Sequence, residues 1–284
     1  FKTDLFIKSK TFIEIVYDKD ENLIKKNQIN FLTNYFKYFT ENKVVENKNR
    51  IYMPYYSYPK STNKKIFINK NNNLKILFSG STNPLWYDKF FWKHNSGNIM
   101  LSRNEIINFI IKNFNNKIIF LKKFNDIKYI DKNKNIALFI NDKLVSKNRG
   151  LLSSYEHLSL ISSSNFFITA PGTEMPLCHH LIESLKHETI PITSYGDLIY
   201  PNLSNHNSLS FETYDELYNV IVEALNMNEK GINELRDNVK NYYINYASTE
   251  SFSIKFNNLS SPFSVIANND HDSVDLYKKN KIIS

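Results

Sequence analysis

From residue 74 onward, short apolar runs that close on Ser, Gly or Pro alternate with segments whose apolar residues recur at helical spacing, and few folds accommodate that alternation. LKILFSG (74 to 80) is an apolar run ending in Ser-Gly, the pattern of a buried strand feeding a loop. SRNEIINFIIKNF (102 to 114) sets Ile106, Ile107, Phe109, Ile110 and Phe114 near helical spacing behind Ser102, with Glu105 positioned to complete a capping box. KIIFLKK (117 to 123) and IALFI (136 to 140) read as strands, SSYEHLSLISSS (153 to 164) as a helix, and NFFITAPG (165 to 172) as a strand ending in a turn. PLCHHLIESLKHE (176 to 188) reads as a helix with Pro176 in its first turn, where a missing N–H costs little. TIPITS (189 to 194) and SLSF (208 to 211) are strand patterns, and TYDELYNVIVEALN (213 to 226) is an amphipathic helix. This order predicts βαβ units, a parallel sheet covered on both faces, and hence an α/β domain of Rossmann type.

NEKGINELRDNVKNYYINYAS (228 to 248) adds a helix, so the domain is expected to span 74–248. Residues 1–73 hold a strand pattern, FIEIVYD (12 to 18), a helix pattern, NQINFLTNYFKYFT (27 to 40), an aromatic segment (50 to 59) and a polar linker (60 to 73). That is too little chain for a second Rossmann domain and predicts a small or truncated N-terminal lobe. The stretch 249–284, rich in Asn and Ser from 257, is expected to pack back as a strap or to fray.

With 42% hydrophobic and 14% aromatic residues the chain is globular rather than disordered. Its net charge of +8 suits an anionic partner such as a nucleotide diphosphate or lipid headgroups, or simply a lysine-rich surface. Pairs such as Lys122-Lys123 are too brief for a nucleic-acid signature, so no nucleic-acid partner is expected. A lone cysteine, Cys178, excludes an internal disulfide framework and fits a reducing, cytoplasmic setting, with peripheral contact at an anionic membrane face left open. No apolar run approaches the roughly 20 residues of a membrane span. The chain opens at Phe1 rather than Met, which leaves a trimmed anchor or leader open.

The chemistry concentrates in ITAPGTEMPLCHHLIESLKHETIPITSYGD (168 to 197). In an open α/β sheet ligands bind at the carboxyl ends of the strands, and the turn Pro171, Gly172, Thr173, Glu174 falls there. Glycine lets backbone approach a ligand, and the first-turn N–H groups of the next helix can hold an anion or a sugar hydroxyl. On that helix His179 and Glu183 share a face, and a carboxylate so placed can accept hydrogen bonds from ribose hydroxyls. A surface ion pair of Glu183 with Lys186 or His187, and histidines simply satisfied within the helix, are the plainer alternatives. Cys178-His179-His180 invites a metal reading, but adjacent helical residues point about 100° apart, so no metal site is expected and Cys178 reads as a core residue.

FFITAPG, then PLCHHLIESL, then TIPIT resembles the donor domain of GT-B glycosyltransferases, closest to the exostosin-like and bacterial surface-polysaccharide branches. ILFSGSTN (76 to 83) and SRNEIINFI (102 to 110) resemble the first strand-loop and helix of that domain, so the likeness covers about residues 74–226. The resemblance implies that Glu183 binds the donor ribose, that Ser79, Gly80 and Ser81 face the diphosphate, and that Pro171 to Glu174 lie near the donor sugar. One departure is that Glu188-Thr189 replaces the glycine usual before the Ile-Pro strand. The implied activity is metal-independent transfer of a sugar from a nucleotide-activated donor, a co-substrate rather than a cofactor, to a hydroxyl of a glycan or glycolipid acceptor. The expected site is a cleft shared with the N-terminal lobe. A non-catalytic nucleotide- or glycan-binding protein with a degenerate donor domain is the alternative.

Arg103 and Lys122 are candidates to neutralise the departing diphosphate, or ordinary surface cations. His94 and Asp88, within NPLWYDKFFWKHNSGN (83 to 98), are the candidate acceptor bases, and the aromatics around them suit either sugar stacking or lobe packing. No dinucleotide fingerprint or phosphate-loop motif occurs, and the Asp-x-Asp at 270 to 272 lies in the irregular tail.

Overall fold

In the computed structural model two parallel sheets divide the chain, with strands β1 (Glu14–Tyr17), β2 (Gln28–Leu32), β3 (Arg50–Tyr52), β4 (Ile76–Gly80), β5 (Ile118–Phe120), β6 (Ile136–Ile140), β7 (Phe166–Thr169), β8 (Ile190–Thr193), β9 (Leu209–Ser210) and β10 (Phe263–Ile266). The helices are α1 (Pro84–Tyr87), α2 (Arg103–Phe114), α3 (Ser154–Ser163), α4 (His179–Lys186), α5 (Tyr214–Asn226), α6 (Glu229–Tyr242) and α7 (Thr249–Asn257). The structure describes residues 14–17, 23, 25–26, 28–32, 50–52, 73–88, 92–140, 152–173, 176–259 and 262–266. They form two units, one from the described parts of 1–54 and 252–277 and one from those of 55–251.

The smaller unit is a four-stranded sheet in the order β1-β2-β10-β3. β10 from the C-terminal stretch inserts between β2 and β3, and Phe256, Phe263 and Val265 close a core with Ile29 and Ile51. The helix expected over 27–40 is not formed at its start: Gln28–Leu32 is a strand paired on both sides. Ladder bonds to two neighbours outweigh a helix-like spacing of apolar residues here, as strand preference is set by context. Residues 33–40, and the linker expected over 60–73 except Asn73, lie outside the described residues.

The larger unit is a six-stranded parallel sheet in the order β5-β6-β4-β7-β8-β9. Its central strands are apolar throughout because both faces are covered: α2 packs with α5, whereas α4 packs with α3 and α6. Leu77, Ala137, Phe139 and Phe167 bury against Leu158 and Ile161 of α3. Capping boxes start α2 at Ser102 and Glu105, α3 at Ser153 and Glu156, and α5 at Thr213 and Glu216.

α4 begins at His179, so Pro176 is not in its first turn as the sequence predicts; Cys178 before it is extended (φ −119°, ψ 139°) and caps with no side-chain bond. At its far end Glu188 itself adopts φ 56°, the left-handed position where glycine is usual, and pairs with Lys240 at 3.6 Å. An L-residue there costs about 1–2 kcal/mol. Among the described residues no helix is long and apolar enough to cross a membrane.

Candidate functional site

β4 leads out through α2 toward β5 at one edge of the sheet, while β7, its neighbour, leads out through α4 toward β8 on the other side. The crevice at the carboxyl ends of β4 and β7 is therefore the topological switch point, where loops separate and ligands bind in open α/β sheets. Ser79 and Gly80 close β4 at this point, and the turn at Pro171 follows β7.

Arg103, the first residue of α2, is 4% exposed and fastens the two strand ends together. Its Nε and Nη2 donate to Pro171 O at 3.1 and 2.8 Å, and its Nη1 donates to Ser81 O at 3.2 Å. Tyr87 of α1 lies under the guanidinium, 3.9 Å from Cζ to the ring centre, a cation–π contact that helps hold the fork in place. A Cβ on Gly80 would meet the Phe78 ring at 3.2 Å and Arg103 and His180 at 3.6 Å, so glycine keeps that strand end narrow.

Behind Gly80 lies a buried polar cluster. Ser79 Oγ is 3.1 Å from His157 Nδ1, and His157 Nε2 is 3.4 Å from Glu183 Oε2. The His180 ring packs 5.0 Å from that of His157 and edge-on to Phe167 at 5.7 Å. Burial pushes the Glu183 carboxyl up, but His157 beside it and the charges of His180 and His179 hold it below the usual range. Burial is the main cause that holds the His180 ring below its ordinary value. Cys178 Sγ sits 4.0 Å from His179 Nδ1 and 3.8 Å from Arg103 Nη2. Burial raises that thiol, yet the adjacent histidines bring it well below its ordinary value.

The structure thus unites Ser79, Gly80, Ser81, Arg103, Pro171, His179 and Glu183 at one strand-end region. Gly172 donates its N–H to Pro176 O at 3.3 Å, Thr173 is exposed, and Glu174 lies outside the described residues. Lys122 is not brought to this region: it is exposed after β5, two strands out from β4, roughly 10 Å at usual strand spacing. Asp88 ends α1, exposed, and accepts from Asn104 Nδ2. His94 is buried in a loop whose flanks bridge at Lys93 and Ile99, with its Nδ1 3.9 Å from Asp197 Oδ1. That loop is tied by Ser96 and Asn98 to Glu212, at the β8 and β9 end of the sheet. Trp86 is exposed and Trp92 buried, so the aromatic segment divides between surface and core; Phe90 and Phe91 lie outside the described residues.

The ground on which the sequence excludes a metal fails. Because Cys178 is extended rather than helical, Cys178, His179 and His180 each bring a ligand atom within 4.8 Å of the others, and His157, His180 and Glu183 do the same. His157 escaped sequence reading altogether. Its one signal was its place in the first turn of a helix that enters β7, since such first turns also face the strand ends.

No protein-family model matches this chain, and no curated protein matches it in sequence.

Proposed function

We propose that the larger unit binds a nucleotide-activated sugar and that the protein transfers the glycosyl group to a hydroxyl of a glycan or glycolipid acceptor. The observation that carries this reading is a buried carboxylate, Glu183, held in its charged form at the switch point near the strand end at Gly80. Glu183 presents Oε2 to His157, while Oε1 makes no hydrogen bond among the described residues and is the oxygen for a ribose hydroxyl. The hydrogen bonds of Arg103 go to protein carbonyls, but its positive charge remains beside Gly80 and opposes the charge that develops as the nucleotide leaves. The phosphates need no metal bridge in this scheme. Asp88, exposed at the end of α1, is the better placed of the two acceptor bases, because His94 is buried and its loop is tied down elsewhere.

The burial of His94 and the commitment of Arg103 to carbonyls also favour a second reading, a nucleotide- or glycan-binding protein without transferase activity. Calorimetric titration of UDP, GDP, CMP and ADP into wild type and Glu183→Ala separates these. One nucleotide is expected to bind saturably, with the affinity lost in the variant. Slow hydrolysis of the matching nucleotide sugar would then support transfer over binding alone. Failure of all four nucleotides to bind overturns the donor reading.

A further inference from the structure

We infer that His157, His180 and Glu183 form a binding site for a divalent transition-metal cation, with zinc the ion best matched to the set. His180 and Glu183 stand three residues apart on α4 and share a face, and His157 arrives from the first turn of α3, which packs against α4. One ligand atom from each lies within 4.8 Å of the other two.

The spacing inside the cluster is the first argument. His157 Nε2 and Glu183 Oε2 are 3.4 Å apart. That is long for a charge-assisted hydrogen bond, which closes to about 2.7–2.9 Å. It matches the ligand–ligand edge of a zinc tetrahedron, about 3.4 Å when the bonds are about 2.0–2.1 Å. The two atoms stand at the separation a metal's ligands would have, wider than a close charge-assisted hydrogen bond.

Burial supplies the second argument. Glu183 Oε2 and His157 Nε2 are both inaccessible and, among the described residues, meet no polar side chain but each other, as an ion pair whose geometry falls short of a hydrogen bond. A cation satisfies both at once. The other nitrogen of His157 is oriented by Ser79 Oγ at 3.1 Å. If Nδ1–H donates to that hydroxyl, the lone pair of Nε2 faces Glu183, the tautomer that a metal requires. Phe167 walls the cluster against His180. Two imidazoles and one carboxylate are the donor set with which zinc keeps a fourth position open, whereas magnesium and calcium prefer oxygen alone.

Cys178, His179 and His180 form an overlapping set, but the Arg103 guanidinium stands 3.8 Å from Cys178 Sγ and repels a cation there. Neither His157 nor Glu183 has a hydrogen bond or ion pair with an arginine or lysine among the described residues. The inference goes beyond the transfer reading and does not depend on it, since the ion uses Oε2 and the donor uses Oε1.

The test is equilibrium dialysis of the 284-residue chain, stripped with EDTA, against zinc alone. One equivalent is expected, and cobalt in its place should show the visible absorption of a four-coordinate site. His157→Gln and His180→Gln should each weaken zinc binding by more than the roughly 10–100-fold that loss of an orienting partner costs. Ser79→Ala should fall within that range, and Cys178→Ser should change nothing. His157 is 18% exposed, so His157→Gln decides the matter if His180→Gln fails to fold by circular dichroism. The proposal is overturned by absence of stoichiometric uptake, by zinc retained in His157→Gln, or by zinc lost in Cys178→Ser. Nucleotide titration in EDTA keeps the two readings apart. Nucleotide binding without zinc uptake sinks only the metal site, and zinc uptake without nucleotide binding sinks only the donor reading.

Discussion

The two ends of the larger sheet's carboxyl rim are held by different kinds of contact. Toward β8 and β9, the loop at residues 92–100 is stitched down by exposed groups: Ser96 and Asn98 bond Glu212, and the Asn95 N–H donates to Asp197 at 3.3 Å. At β4 and β7 the polar groups are buried, and two of them, His157 Nε2 and Glu183 Oε2, face each other as an ion pair at 3.4 Å. An exposed stitch exchanges water for protein at little net gain, whereas removing one partner of a buried contact leaves the other with its full desolvation cost.

Arg103 offers the sharpest test of that contrast. Arg103→Ala removes a buried guanidinium and strands the carbonyls of Pro171 and Ser81, each of which accepts from it. Hydrogen bonds to charged groups contribute about 1.5–3 kcal/mol each. The variant is expected to lose about 3–5 kcal/mol of stability by guanidinium titration. A loss below about 1 kcal/mol would show that the strand ends hold together without the clamp, and the comparison would collapse at its stronger half.

How much of this was legible beforehand follows from how local each signal is. The starts of α2, α3 and α5 were readable because each capping box lies within four consecutive residues, as at Ser102 to Glu105. The strands of the larger sheet were readable because burial on both faces makes them continuously apolar. QINFL reads as helical by its spacing in sequence because one of the two partners that make it a strand, β10, comes from the far end of the chain. α4 was started too early because Pro176 looks like a first-turn residue, while the extended backbone of Cys178 is imposed from outside the segment. The site divides in the same way. Glu183 and the Pro171 turn lie in one stretch and could be seen together, but His157 reaches Glu183 only once α3 and α4 pack against each other. No spacing in the sequence encodes that meeting.

The stitched half of the rim should respond weakly. Glu212→Ala removes the acceptor of Ser96 and Asn98, both exposed. A change of about 1 kcal/mol or less is expected, with nucleotide and zinc titrations unaltered. Loss of either ligand in this variant would mean that the loop carrying His94 shapes the site, and the rim would have to be treated as one unit.

The smallest effect expected is an acid one, on the same stitched half. Glu216 accepts from the Glu212 N–H at 2.7 Å and from the Thr213 N–H at 3.2 Å. The bond from Glu212 is the main cause that lowers its carboxyl below the usual 4.5; slight burial opposes it, while Thr213 and the charge of His94 add to the lowering. A carboxyl depressed in the folded state stabilises the fold fully above its unfolded value and loses that stabilisation as pH falls through the folded value. Because Glu216 is well exposed, solvent screening keeps the contribution to about 0.5 kcal/mol or less. Glu216→Gln should therefore lower the denaturation midpoint slightly at pH 7, and the gap from wild type should close as the pH falls below 4.5. A gap that persists unchanged at acid pH would mean that the carboxylate's charge contributes nothing and that the cap works as well through a neutral acceptor. The stitched half would then owe its hold to hydrogen-bond geometry alone, and charge would matter to stability only at the β4 and β7 end.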